Sequence, residues 1–150
     1  PAGTLHAIGK GILIAEVQQN SNTTYRVSDY GRIGADGRPR ELHVDKALDV
    51  INRSKTEIPQ FNKDDLMIYP FGTVKNLVSC DLFTSDLLEL NGKAGLAEEK
   101  SFLSIVLLDG DATLSFAGGM LRLKKGDSVF VPAKLRIELS GKASIICSHV

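Results

Sequence analysis

The sequence has no tryptophan, only two cysteines and only three histidines in 150 residues. Two cysteines, Cys80 and Cys147, cannot build the disulfide framework that staples small secreted domains, and each is expected to be a small buried hydrophobe. No apolar run approaches the roughly 20 residues of a membrane-crossing helix. No basic stretch followed by an apolar one opens the chain, so no secretion signal is visible. Charge of one sign is also missing, since 18 Lys+Arg meet 18 Asp+Glu. That balance excludes the basic stripe of a nucleic-acid binder and the polybasic patch of a membrane-surface protein. Together these absences predict a soluble cytoplasmic protein with neither nucleic acid nor membrane as a partner. Pro1 stands where a Met would start a chain, which predicts that the chain was processed or cut.

With 43% hydrophobic residues, a real core is within reach; a chain of this length buries roughly 68–70% of its unfolded surface. The pattern is mostly β. Residues 11–19 (GILIAEVQQ) and 23–28 (TTYRVS) read as two strands about the turn-forming Asn20-Ser21-Asn22. Residues 29–41, with three Gly and three Arg and no periodicity, read as a loop. Val44, Ala47, Leu48 and Ile51 recur at helical spacing and predict a helix over about 42–53. The polar, Pro-containing 52–64 reads as a linker. From 61 onward, short apolar runs alternate with Gly, Asn, Asp and Ser breaks: 66–70, 74–79, 82–90, 102–108, 112–116, 119–124, 128–131, 134–139 and 143–148. Strands at this spacing predict an antiparallel sandwich or barrel of the jelly-roll type, with hairpin turns at Asp109-Gly110-Asp111 and Ala117-Gly118-Gly119.

The two ends resemble each other. Pro1-Ala2 and Pro132-Ala133 each lead into an apolar segment, then Gly-Lys (Gly9-Lys10 and Gly141-Lys142), then another apolar segment, with one residue inserted in the second copy. The first copy has His6 where the second has Ile137 or Glu138. The repeat predicts one complete barrel without a ligand set, preceded by the last strands of another that had one.

Geometry nominates two more residues. If 11–19 and 23–28 pair about Ser21, Glu16 lies directly opposite Arg26 on one face, with Cβ atoms roughly 4.5–5.5 Å apart. Ile12 and Ile14 precede Glu16 on that face, so it turns from core into site. Arg26 can then hold phosphate or developing negative charge, because a guanidinium is planar and always cationic. Glu16 can orient it. The alternative is an exposed cross-strand salt bridge, worth at most about 1 kcal/mol. Lys10 reads as a surface lysine, and Arg32, Arg38 and Arg40 read as solvated loop cations that could approach an anionic ligand or cover a site. His43 reads as a rim residue of the helix, and the acid pairs Asp64-Asp65 and Glu98-Glu99 as solvated carboxylates.

PAGTLHAIGKG at 1–11, IAEVQQNSNTTYRV at 14–27 and RPRELH at 38–43 closely resemble the type I mannose-6-phosphate isomerases, in the compact bacterial branch of that cupin family. The resemblance is dense over 1–53 and looser to the end. It implies a zinc-dependent aldose–ketose isomerase that interconverts mannose 6-phosphate and fructose 6-phosphate by proton transfer through an enediol. In that family zinc is held by a Gln, two His and a Glu. Only His6 is carried over as a metal ligand, since the other histidines are His43 and His149 and no QxH or HxH motif is present. Arg26 matches the catalytic arginine, and Glu16 stands where the family has an active-site acid. The implied organisation is a mainly β cupin chain. Residues 1–60 are the C-terminal remnant of the catalytic cupin with its connecting loop and one short helix, and 61–150 are a second cupin-like barrel without metal ligands. Alone, such a fragment is expected to be inactive, with self-association possible through the unpaired strand edges of 1–28. The competing reading is a non-catalytic cupin module with a structural, sugar-binding or protein-binding role.

Overall fold

The computed structural model describes residues 3–18, 20–54 and 65–150. The chain divides into two compact units, Pro1–Pro59 and Gln60–Val150.

Among the described residues of the first unit the one regular element is helix α1, Val44–Val50, with Asp45 in its first turn, where a carboxylate suits the helix dipole. It is shorter than the expected 42–53. His43 stands at its N-cap position, where its carbonyl accepts the Ala47 N–H at 2.9 Å. Of the predicted apolar face only Ala47 is buried. Among the described residues the expected strands at 11–19 and 23–28 are not formed, and the only bridge joins Ile33 to Pro39. A two-stranded ribbon is marginal without a further strand or a packed face. Ile12, Leu13 and Ile14 are all exposed, Leu13 at 87%. Among the described residues, therefore, the strand pairing that would set Glu16 opposite Arg26 is not formed. The linker at 52–64 lies outside the described residues from 55 onward.

The second unit is one antiparallel sheet of seven strands: β1 (Leu66–Tyr69), β2 (Gly72–Ser79), β3 (Thr84–Leu96), β4 (Leu103–Phe116), β5 (Gly119–Lys124), β6 (Ser128–Val131) and β7 (Ile137–His149). Their order is β1-β2-β3-β7-β4-β5, with β6 also pairing β4. The sheet is open, with β1 and β5 at its two ends. β7 lies at its centre, matched residue for residue to β3 from Thr84↔His149 to Leu96↔Ile137. On its other side it pairs with β4, which in turn holds β6 along its first part and β5 along its last.

Three strands run longer than the sequence pattern suggested. Gly110 is no hairpin turn: it lies inside β4, two residues past a bulge at Leu108. The bulge shifts the inward face from Leu103, Ile105 and Leu107 to Ala112 and Leu114, so both halves of β4 feed one core. Gly141 likewise lies inside β7, opposite Gly92 of β3 and Ala112 of β4. A Cβ on Gly141 would stand 2.5 Å from the Asp111 carbonyl oxygen, and its φ is +150°. Only glycine lets the three long strands approach and coil there. The Ala117-Gly118 hairpin between β4 and β5 forms where expected. The two copies of the terminal repeat fold differently, since 137–149 is one continuous strand and 4–18 carries none.

The core is the inward face of this sheet. Ile105, Leu107, Leu114, Leu139 and Ile145 are its largest fully buried side chains. Cys147 is buried as expected, and burial pushes its thiol up to about 12. Cys80 is exposed instead, because it sits in the β2–β3 turn with its Sγ 3.4 Å from the Phe83 carbonyl.

Candidate functional site

In the absence of a sheet, polar bonds organise the first unit, and Asp29 is at their centre. Its carboxylate accepts both Arg40 donors, Nε at 2.6 Å and Nη2 on the other oxygen. The Arg40 hydrogen bonds hold the Asp29 carboxyl below the usual carboxylate range, against some desolvation, and Asp29 raises the Arg40 guanidinium in turn. Arg26 Nε lies 3.9 Å from Asp29 Oδ1, and Arg26 Nη1 donates to the Glu41 carbonyl at 3.2 Å. The backbone of Arg26 is clasped as well. Its carbonyl accepts the His43 N–H at 2.7 Å, and its N–H donates to His43 Nδ1 at 3.3 Å. His43 Nε2 lies 3.6 Å from a Glu41 carboxylate oxygen. Arg40, exposed as expected, and His43 thus form the frame that positions Arg26. Asp29 was missed from sequence; its one signal is a short acid beside a loop with three arginines.

Two clefts open on this frame. The larger, about 890 Å³, is lined by His6, Lys10, Arg26 and Arg32, with Asp29 as its one acid. Since Asp29 is spent on Arg40, the cleft carries a positive surplus. The smaller, about 360 Å³, holds His6 again together with Glu16, Gln18 and Tyr25. The structure therefore brings His6 together with Arg26 on one side and with Glu16 on the other, while Glu16 has no ion pair with Arg26. Arg38 lines neither cleft; its backbone N–H donates to Asp36 within the loop.

His6 is exposed, and its Nδ1–H donates to the Thr4 carbonyl at 3.0 Å. With the Nδ1 proton on that carbonyl, Nε2 is the nitrogen a neutral imidazole presents to a metal. Tetrahedral zinc needs more than one such donor. Among the described residues no three His, Cys, Asp or Glu gather into a metal-holding group. The described residues alone therefore do not fit a complete zinc site.

Other expected bystanders resolve separately. Asp64 lies outside the described residues. Glu98 is not a solvated acid. It accepts the Lys100 N–H at 3.0 Å and faces His149 Nδ1 at 3.6 Å, and these contacts, the Lys100 bond first, lower its pKa. No helix among the described residues is long and apolar enough to cross a membrane.

Comparison with known proteins fits this architecture. The fold class is a mainly β, antiparallel cupin with one short helix, its sheet not closed. The crystal structure of the mannose 6-phosphate isomerase from Bacillus subtilis superposes with a TM-score of 0.76 at 32% identity, covering 88% of this chain and 42% of that one. The family description "mannose-6-phosphate isomerase, cupin domain" matches residues 73–150, and the chain belongs to that family. Mannose-6-phosphate isomerase ManA of Bacillus subtilis (strain 168) is 38% identical over 160 residues, spanning all of this chain and 47% of its own length. Mannose-6-phosphate isomerase of Streptococcus mutans is 34% identical over 152 residues, again across 46% of its length. The chain thus spans about half the length of the curated relatives it matches.

Proposed function

We propose that this chain acts as the C-terminal half of a cytoplasmic mannose-6-phosphate isomerase, with residues 1–60 completing a catalytic cupin and 61–150 forming a second cupin. The observation that supports this reading is one cleft shared by His6, with its Nε2 free, and Arg26, held by Asp29, Glu41 and His43. Moving a proton between C1 and C2 of a sugar phosphate develops negative charge on a sugar oxygen. Arg26 meets that charge with a fixed cation, already oriented, so little reorganisation is needed during reaction. Lys10 and Arg32 on the same walls give a dianionic phosphate two more cations to lie against. Glu16, in the adjoining cleft with His6, faces the histidine's side of the site and is an acid available to orient substrate hydroxyls. A zinc ion held at this site would supply a Lewis acid for the sugar oxygens. His6 is the ligand this chain would supply.

This reading is tested in the full-length protein. Arg26→Ala should lower kcat by about 10²–10³ with a smaller change in KM, as loss of a transition-state contact does. His6→Ala should lower both the zinc content and the turnover. A kcat for Arg26→Ala within about threefold of the parent would remove Arg26 from the chemistry.

A further inference from the structure

The second unit has a cavity of its own that the isomerase reading leaves unused. Along β7 the inward face runs Ala143, Ile145, Cys147, His149, and along β3 it runs Leu90, Leu88, Asp86, Thr84. The register sets Leu88 opposite Ile145, Asp86 opposite Cys147 and Thr84 opposite His149. A dry core thus grades into polar groups within one turn of the pleat, at the mouth of the sheet. There the structure leaves a space of about 180 Å³. Its floor is apolar, with Phe71, Leu88 and Leu96, and its rim carries Asp86, Glu98 and His149.

The rim's hydrogen-bonding capacity defines what could enter. Asn76 Nδ2 donates to Asp86 Oδ1 at 2.8 Å, which leaves Oδ2 as an open acceptor. Glu98 Oε1 takes the Lys100 N–H, the backbone N–H groups of Ser101 and Glu99 also bear on its carboxylate, and Oε2 faces His149 at 3.6 Å, too long for a good hydrogen bond. Ionised carboxylates only accept, so they ask for donors from a ligand. Two acids against one imidazole repel an anion. The apolar floor suits the C–H face of a ring, and Phe71, stacked on Tyr69 with centroids 4.9 Å apart, is a flat part of it. Few polar groups over an apolar lining is the usual make-up of a small-molecule site.

We propose that this cavity binds a small neutral polyol, a single sugar ring at most, through Asp86, Glu98 and His149 over the Phe71–Leu88 floor. The site is separate from the His6–Arg26 cleft and takes the uncharged sugar rather than its phosphate.

The test is an NMR titration of the 150-residue chain with D-mannose, inorganic phosphate and methylammonium in separate arms. Mannose should give saturable shifts at Phe71, Leu88, Cys147 and His149 with an affinity of about a millimolar. Phosphate and methylammonium should leave those signals in place. Asp86→Asn and Glu98→Gln should each weaken mannose binding by about fivefold or more. Glu98 lies outside the strands, so its variant keeps the test open if Asp86→Asn does not fold. Absence of saturable shifts in the folded chain, shifts centred instead on residues 5–32, stronger binding of either charged probe, or unchanged affinity in the folded Glu98→Gln variant would each overturn the proposal.

Discussion

Replacing Ile145 by alanine probes the second unit at its centre. Ile145 is fully buried in β7 and lies between Leu88 of β3 and Leu107 of β4 by register. Ile→Ala deletes three carbons, which at about 0.8 kcal/mol each costs about 2.4 kcal/mol in transfer alone. Whatever space does not close adds about 24 cal/mol per Å³. Neighbours on both sides are held by ladders, so little closure is available, and the total should be about 3–4 kcal/mol. For a unit of about 90 residues, 1 kcal/mol moves the midpoint by roughly 4–8 °C, so Tm should fall by about 12–30 °C. Calorimetry with urea unfolding measures it, the m-value staying constant if only stability changed. Ile68→Ala is the control, since Ile68 is 79% exposed on edge strand β1 and should cost no more than about 0.5 kcal/mol. A loss below about 1 kcal/mol at Ile145, or equal losses at the two positions, would refute the placement of β7 at the core.

Three further outcomes follow from particular groups. A thiol reagent at mild alkaline pH should label Cys80 quickly and Cys147 only on unfolding, because burial holds the Cys147 thiol up at about 12. Two equally fast thiols per folded chain would contradict the packing of β7. Asp29 has a depressed pKa in the folded state, so the stability it lends is present above the unfolded carboxylate value and is lost as pH falls through the folded one. Acid titration followed at the Tyr25 and His43 signals should show this loss in the parent and lack it in Asp29→Asn; identical acid profiles would show that Asp29 does not hold the frame. Exposed Ile12, Leu13 and Ile14 should drive concentration-dependent association of the isolated chain. Light scattering checks it, and a Leu13→Asp variant should shift the chain toward monomer.

Where sequence reasoning worked and where it failed has a common physical basis. The helix at Val44 and the hairpin at Ala117-Gly118 were legible because both are local, set by a 3.6-residue period or by turn residues. Gly110 and Gly141 misled because a glycine beside a polar residue signals a turn and a bulge alike. What separates the two is the partner strand, which here passes within 2.2 Å of a Cβ placed on Gly110. The Glu16–Arg26 register failed because it assumed a hairpin that nothing in this chain completes into a sheet. His6 and Arg26 could be nominated through the motifs around them, and the structure sets both on one cleft. The ion pair that positions Arg26 could not be read, since Asp29 and Arg40 meet across an aperiodic glycine-rich loop.

The central claim is that this chain holds part of an isomerase site, with His6 as a single zinc donor. The most direct measurement is mannose 6-phosphate turnover by the purified 150-residue chain, assayed with and without added zinc and paired with its bound-metal content. The account predicts no turnover in either condition and no stoichiometric zinc. Zinc-dependent turnover, with one equivalent bound per chain, would contradict it.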